Sequence, residues 1–158
     1  MRIILLFIVL SCIGLLSYAQ YLQHVENLLP CPLCVAQRVA YWLLGLTALL
    51  AFIHNAKKTI GRRIYGFLMT IFALTGAVVA ARQSWLIRFP ESFACGISPE
   101  EAFLNTLPIA KWWPGMFEAN GDCMDVDWEF LSLTIPDWSL VAFISLGVAA
   151  ISTLLAKQ

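Results

Sequence analysis

Charged side chains are scarce in this sequence of 158 residues: they make up 13% of it, whereas hydrophobic residues make up 60%. A soluble domain carries about 25% charged residues. A compact soluble bundle would therefore have too few polar side chains to cover its outer surface. Four apolar stretches instead approach the roughly 20 residues that a membrane-spanning helix needs. Because lipid offers no partner to unpaired backbone groups, these stretches are predicted to be helices.

The predicted fold class is an all-α membrane protein, a four-transmembrane-helix bundle formed by a single integral membrane domain over residues 1–158. The spans are predicted at about 3–20, 34–53, 64–81 and 138–156, with connections at about 21–33, 54–63 and 82–137. Residues 17–19 resemble a signal-peptide cleavage site, but the single basic residue before a long apolar run favours a retained first helix. In the third span, Gly66 and Gly76 would allow close contacts between helices.

Acidic residues are missing from both termini and from residues 54–63, a turn that holds four of the ten basic residues. All ten acidic residues fall in the other two connections. Short basic loops remain in the cytoplasm. Both termini and the 54–63 turn are therefore predicted to be cytoplasmic, and the other two connections to face outward, which in a bacterial cell is the periplasm.

Cysteine is present five times, and four of the five lie in the outward connections or at their border with a span: Cys31, Cys34, Cys95 and Cys123. Disulfides form and persist in an oxidising compartment such as the periplasm. Four cysteines allow three pairings, and spacing alone does not choose among them. Cys12 lies in the first apolar run and is interpreted as a small buried apolar residue.

Cys31 and Cys34 stand where a polar connection meets the second apolar run, with Arg38 four residues further on. The uncharged part of that run, Val39–Ile53, has only 15 residues and rises about 22 Å, short of the roughly 30 Å hydrocarbon core, so its helix is predicted to begin earlier, near Leu33 or Val35. Cys34 would then lie in the first turn, where the helix N-terminus stabilises a thiolate.

Arg38 would dip into the membrane boundary, where an ionisable residue indicates a functional site. The alternative for Arg38 is that it reaches back to lipid headgroups. For Cys31 and Cys34, the alternatives to a redox dithiol are a static disulfide or half of a zinc site.

Flavin, nucleotide and haem motifs are missing, and Val35 rather than histidine follows the second cysteine. No metal, flavin, haem or nucleic-acid partner is expected. Cys95 and Cys123 suit a structural staple in the outer connection, but two cysteine pairs on one face can also exchange electrons by thiol–disulfide exchange. A dithiol at the membrane boundary then needs an acceptor, for which a lipid-soluble carrier in the bilayer is the economical choice.

The long periplasmic loop at 82–137 is predicted to contain a short helix and a membrane-surface segment. Ser98–Glu101 is typical of a helix start, and that helix is expected to run to about Asn105 or Thr106. Residues 107–117 include Trp112 and Trp113 and are expected to lie along the membrane surface. The alternative for them is a loop packed on the bundle.

Several motifs resemble the DsbB family, bacterial inner-membrane proteins that reoxidise the periplasmic dithiol oxidase DsbA and reduce quinone. The resemblance covers nearly the whole chain. It is carried by Pro30-Cys31-Pro32-Leu33-Cys34 with Arg38, by Phe93-Ala94-Cys95, and by Gly121-Asp122-Cys123 followed by Trp128-Glu129-Phe130-Leu131 and Pro136-Asp137-Trp138.

The resemblance implies a role for each cysteine. Cys31 and Cys34 would be the quinone-coupled pair, with Cys34 as a thiolate against the quinone ring and Arg38 beside it. Cys95 and Cys123 would be the loop pair, in which Cys95 is attacked by reduced DsbA. Cys123 would then attack Cys31 and free Cys34 to reduce a ubiquinone or menaquinone.

Two departures from the family pattern affect the quinone side of the site. Some relatives carry a histidine near the outer end of the third span, where this sequence has Arg82 and Gln83. Either residue is a candidate for that role. Gln37 stands where some relatives carry an acid.

Two other functions remain open on the sequence. A four-helix enzyme like vitamin K epoxide reductase uses thiols to reduce a quinone, although the Gly121-Asp122-Cys123 motif disfavours it. A non-catalytic tetraspan protein with a stapled outer loop would have no need of a boundary dithiol at Cys31 and Cys34.

Overall fold

The computed structural model describes residues 2–25, 27, 30–54, 59–89, 106, 108–117 and 129–155. Within these ranges, helices α1 (Arg2–Val25), α2 (Pro32–His54) and α3 (Thr59–Arg88) come first. Two short helices follow, α4 (Pro108–Trp112) and α5 (Pro114–Phe117). A small antiparallel pair of strands, β1 (Glu129–Phe130) and β2 (Leu133–Thr134), leads into helix α6 (Ile135–Leu155).

The four long helices α1, α2, α3 and α6 are each long and apolar enough to cross a membrane. The prediction of an all-helical membrane fold with four spans is therefore confirmed. The helices are longer than the predicted spans: α1 continues past residue 20 to Val25, and α3 continues past residue 81 to Arg88. The predicted spans were bounded by polar residues, whereas helical hydrogen bonding continues through such residues once the chain has left the apolar layer.

Helix α3 packs on α6 along its length, α2 packs on α3, and α1 packs on α2, whereas α1 and α6 share few contacts. The core between them is apolar, and its largest fully buried side chains include Ile8, Leu44, Met69, Phe143 and Leu146. The bundle is therefore closed on three sides and less tightly packed on the fourth, between α1 and α6.

Gly66 and Gly76 bring α3 close to α6, which confirms the role predicted for them. A Cβ at Gly76 would lie 2.2 Å from the ring of Phe143, and one at Gly66 would lie 3.0 Å from the Leu154 backbone. The Phe143 ring is fully buried and stacks on Tyr41, with ring centroids 4.0 Å apart. It therefore has no free space into which to move.

Replacing Gly76 by alanine is expected to destabilise the bundle by about 1–3 kcal/mol, the usual cost of overpacking a core. The change should appear as a lower midpoint of unfolding in detergent. Gly14→Ala is the matched control, because nothing lies within 4 Å of a Cβ at Gly14. Equal midpoints for the two variants would contradict the close packing of α3 on α6.

The N-terminal end of α6 is capped by its own first turn. Thr134 precedes the helix, and its backbone N–H and Oγ1 donate to Asp137 Oδ2 at 3.0 and 2.8 Å. The bond from the Thr134 backbone N–H to a carboxylate three residues later is one of the two bonds of a capping box. The preceding turn between β1 and β2 holds Leu131 and Ser132 at φ 55° and 61°, a left-handed conformation that two-residue hairpin loops require.

The other oxygen of the same carboxylate ties α6 to α3. Ser84 donates its hydroxyl to Asp137 Oδ1, and Arg88 Nη2 donates to the same oxygen at 2.9 Å. Arg88 Nη1 also donates to Ser84 Oγ at 3.0 Å. Asp137 therefore joins the start of α6 to the last turns of α3. The chain segment between these two helices thus has its two ends held together.

Asp137→Ala is expected to lower the free energy of unfolding by about 1–3 kcal/mol, because it leaves buried donors on Thr134 and Ser84 without their acceptor. Chemical denaturation in detergent measures the loss. Arg88→Gln should cost less than about 1 kcal/mol, because the Arg88 side chain is 54% exposed and exposed ion pairs contribute little. A larger loss for Arg88→Gln than for Asp137→Ala would show that the Arg88–Asp137 ion pair contributes more to stability than the bonds from Thr134 and Ser84 to Asp137.

The described part of the long outer segment is helical at α4 and α5. Trp112 is 85% exposed and Trp113 is also exposed, whereas Met116 and Phe117 are buried against the core of the bundle. The segment therefore has one side with two exposed tryptophans and one side that packs on the bundle. Its position along the membrane surface stays a prediction, and the short helix predicted from Ser98 lies outside the described residues apart from its last residue, Thr106.

Candidate active site

The first turn of α2 is built around Cys31. The carbonyl oxygen of Cys31 accepts the backbone N–H of Val35 at 3.0 Å, and its Sγ accepts the backbone N–H of Cys34 at 3.3 Å. Cys31 therefore occupies the N-cap position, where serine or threonine oxygens usually accept such a bond. Pro32 stands at the first helical position, where its missing N–H costs nothing.

The two thiols meet because the N-cap residue and the third helical residue lie on the same side of the turn. Cys31 Sγ and Cys34 Sγ are 3.0 Å apart, and neither is in a disulfide in this structure. Cys31 is buried, with 2% of its surface exposed, and Cys34 is half-buried. Both sulfurs stand at the positive end of α2, which favours a thiolate.

Gln83 of α3 lies directly over the dithiol. Its Nε2 is 3.3 Å from Cys31 Sγ and 3.2 Å from Cys34 Sγ. Its Oε1 accepts a hydrogen bond from Gln37 Nε2 at 2.7 Å and lies 3.6 Å from Cys34 Sγ. Both glutamines are buried, so α2 and α3 are joined by an amide pair at the sulfurs.

Arg38 is buried one turn further along α2. Its Nη1 donates to Gln23 Oε1 of α1 at 2.8 Å and to the carbonyl oxygen of Met116 at 3.1 Å. Gln20 of α1 also contacts Met116 through the sulfur atom. Arg38 therefore joins α5 to the C-terminal end of α1 and the N-terminal end of α2, and its charge remains close to the dithiol.

A cavity of about 360 Å³ lies beside the dithiol, between α1, α2 and α6. Leu15, Leu16, Ala19 and Leu22 of α1 form an apolar wall. Polar side chains gather at the outer end, where Cys34, Gln37, Arg38 and Gln83 line the cavity. The exposed ring of Tyr18 also lines it, so the cavity reaches the outer surface of the bundle. Its volume lies within the range of small-molecule sites, about 300–1,000 Å³.

Tyr41 and Ser139 belong to the cavity lining, and the sequence analysis missed them. Tyr41 Oη lies 3.0 Å from Ser139 Oγ, which joins α2 to α6 at the far side of the cavity. Cys34, Arg38 and Tyr41 recur at the spacing of one helix face, so the helical period could have indicated Tyr41. Trp138, the aromatic residue next to Ser139, lines the cavity as well.

The structure separates the two candidates on α3, because Gln83 touches both sulfurs whereas Arg82 is exposed and is not among the lining residues. Cys12 is buried in the core, where its Cβ would lie 3.1 Å from a Cβ at Gly45. Cys95 and Cys123 lie outside the described residues, so their predicted pairing and roles stay predictions. Among the described residues, no group of three or more metal-ligating side chains occurs.

The fold and the site together define a class: a four-helix membrane protein with a dithiol at the end of one helix and an apolar cavity beside it. The chain belongs to the DsbB family, because the family model described as "Disulfide bond formation protein DsbB" matches residues 1–153. It is thus a bacterial membrane protein of a family that forms disulfide bonds.

Relatives named "Disulfide bond formation protein B" agree with this assignment over their length. The protein of Nitrosospira multiformis is 64% identical over 157 residues, which are 99% of this chain and 93% of the relative. The protein of Nitrosomonas europaea is 65% identical over 150 residues, which are 95% of this chain and 91% of the relative. The protein of Aromatoleum aromaticum is 42% identical over 149 residues, which are 93% of this chain and 88% of the relative.

Proposed function

We propose that this protein is a thiol:quinone oxidoreductase of the bacterial inner membrane, which reoxidises a periplasmic DsbA-like dithiol oxidase and passes the electrons to a membrane quinone. The observation that carries the proposal is the position of Cys34, which forms part of the wall of an apolar cavity and lies 3.0 Å from its partner sulfur. A dithiol so placed meets a lipid-soluble molecule without leaving the bundle.

The cavity has the character that a quinone requires. Its walls on α1 are apolar and suit a ring with an isoprenoid tail, and α1 and α6 share few contacts, which leaves that side less tightly closed. Arg38 and Gln37 supply hydrogen-bond donors at the cysteine end, where carbonyl oxygens need them. A quinone bound there accepts two electrons and two protons to become a quinol.

The residues of this chain then have defined tasks. Cys31 as a thiol and Cys34 as a thiolate give up two electrons and one proton when they form their disulfide, and the second proton comes from solvent. The N-terminus of α2 and the charge of Arg38 stabilise the thiolate before the electrons leave. Cys31 is only 2% exposed, so its sulfur can react only with a group that is brought against the bundle.

Electrons are proposed to arrive through Cys95 and Cys123. A thiolate of the reduced partner attacks Cys95 of their disulfide, and Cys123 leaves as a thiolate. A second partner thiolate then releases the oxidised partner and leaves Cys95 as a thiolate. Cys123 attacks Cys31, which frees Cys34, and Cys95 then attacks Cys123, which restores the loop disulfide and frees Cys31. Met116 lies between these two cysteines in the chain, and Arg38 binds its carbonyl oxygen, so part of the loop is already anchored at the dithiol.

The proposed orientation places the dithiol end of the bundle in the periplasm. The 54–63 turn and the termini carry basic residues and no acids, and such segments remain in the cytoplasm. The site lies at the opposite end of α2 and α3 from that turn. The oxidising periplasm then surrounds the segment that holds Cys95 and Cys123.

The proposal predicts electron transfer from a reduced DsbA-like protein to a soluble quinone when both are mixed with the purified protein in detergent. The fall in quinone absorbance measures the rate. Cys31→Ser and Cys34→Ser should abolish transfer, because neither variant can form the disulfide that hands on the electrons. Cys12→Ser is the control and should transfer electrons, since Cys12 lies in the core away from the cavity. An intact protein that transfers none would contradict the proposal.

Arg38→Ala is expected to raise the apparent KM for quinone about tenfold or more, because a hydrogen bond to a charged donor contributes about 1.5–3 kcal/mol. Steady-state rates at varied quinone concentration measure it. Arg63→Ala is the matched control, an exposed arginine at the other end of α3, and should leave KM unchanged. An unchanged KM in Arg38→Ala would remove the arginine from the quinone site.

A further inference from the structure

We infer that Gln83 acts on the sulfur atoms, as a catalytic hydrogen-bond donor that stabilises the reduced Cys31–Cys34 pair, and that Gln37 is the positioning residue that orients it. The inference deepens the proposed function, on which it rests. It assigns to Gln83 a task in setting the redox equilibrium of the dithiol, which is separate from contact with a quinone.

The geometry at the sulfurs carries the first step. Gln83 Nε2 lies within 3.3 Å of both Sγ atoms, a normal hydrogen-bond distance to sulfur. The side chain is only 4% exposed, and Gln37 is only 6% exposed. Because both amides are buried, water competes little for them, so a hydrogen bond from Gln83 is electrostatically stronger there than in solvent.

The orientation of the Gln83 amide decides what it offers the sulfurs. An amide has a donor end and an acceptor end, and a thiolate accepts but never donates. Gln37 Nε2 donates to Gln83 Oε1 at 2.7 Å, and this bond turns the Nε2 of Gln83 towards the cysteines. Arg38 directs its Nη1 to Gln23 and Met116 instead.

The redox step gives this hydrogen bond its effect. Reduction of the Cys31–Cys34 disulfide breaks the S–S bond, takes up two electrons and one proton, and leaves Cys31 as a thiol and Cys34 as a thiolate. A disulfide sulfur is a weak acceptor, whereas a thiolate is a charged one and forms the stronger bond. Gln83 therefore stabilises the reduced state more than the oxidised state, which makes the disulfide a stronger oxidant.

The same amide can also accept a hydrogen bond when Cys34 is protonated. Gln83 Oε1 lies 3.6 Å from Cys34 Sγ, where a thiol can donate weakly to it. Glutamine does not titrate, so its contribution to the equilibrium does not itself change with pH. A titrating residue at this position would add its own protonation step.

The test is a redox titration of the full chain carrying Cys12→Ala, Cys95→Ala and Cys123→Ala, so that Cys31 and Cys34 are the only thiols. The protein in detergent is equilibrated with mixtures of reduced and oxidised dithiothreitol, without quinone or protein partner. Free thiols are then trapped by alkylation and counted by mass. Dithiothreitol supplies the two electrons and becomes a cyclic disulfide.

Gln83→Leu is expected to make the pair about 10 to 100 times harder to reduce, as the loss of one hydrogen bond to a charged group predicts. This corresponds to a reduction potential about 30 to 60 mV more negative. Gln83→Glu should shift in the same direction, because a carboxylate replaces the donor with an acceptor. Gln37→Leu should give a smaller shift in that direction, because the Gln83 amide is then free to turn.

Ser84→Ala is the matched control: it removes a polar bond from the next residue of α3 without touching the sulfurs, and should leave the equilibrium constant unchanged. An equal shift in Ser84→Ala would assign the effect to loosening of α3 and overturn the inference. So would an unchanged constant in both Gln83→Leu and Gln83→Glu. A reversible disulfide that shifts as expected in a protein that reduces no quinone would instead contradict the proposed function alone.

Discussion

The N-cap of α2 is the interaction on which the site depends. Because Cys31 Sγ accepts the backbone N–H of Cys34, the first turn of the helix brings both sulfurs to one point and exposes them to the positive end of the helix dipole. The same turn sets the direction of α2, so Cys34, Arg38 and Tyr41 all line the cavity. A cysteine pair at any other spacing would lose either the cap or the contact between sulfurs.

Several buried polar side chains of this bundle are paired across helices, where lipid could not satisfy them. Gln37 with Gln83 joins α2 to α3, Ser84 with Asp137 joins α3 to α6, and Tyr41 with Ser139 joins α2 to α6. These pairs gather at the dithiol end of the bundle. They hold the walls of the cavity while leaving its apolar side open between α1 and α6.

Much of the fold could be predicted from the sequence, since the spans depend on composition. The early start of α2, which places Cys34 in its first turn, followed from the shortness of one apolar run. The close approach of α3 to α6 at Gly66 and Gly76 could be predicted because glycine has no side chain to keep the helices apart. The end of α3 did not, because polar residues at 82–88 look like the end of a span although the helix continues through them.

The residues of the candidate site also fall into those that the sequence predicts and those that only the tertiary structure brings together. Cys31, Cys34 and Arg38 are local, and their relation depends on helical spacing within one element, which the sequence by itself determines. Gln83, Met116 and Ser139 reach the same place from distant parts of the chain. Their arrival depends on the rotation and depth of α3, α5 and α6 against α2, which is decided by contacts such as Phe143 against Gly76. Only the tertiary structure decides such contacts, because they join residues far apart in the chain and no local period encodes them.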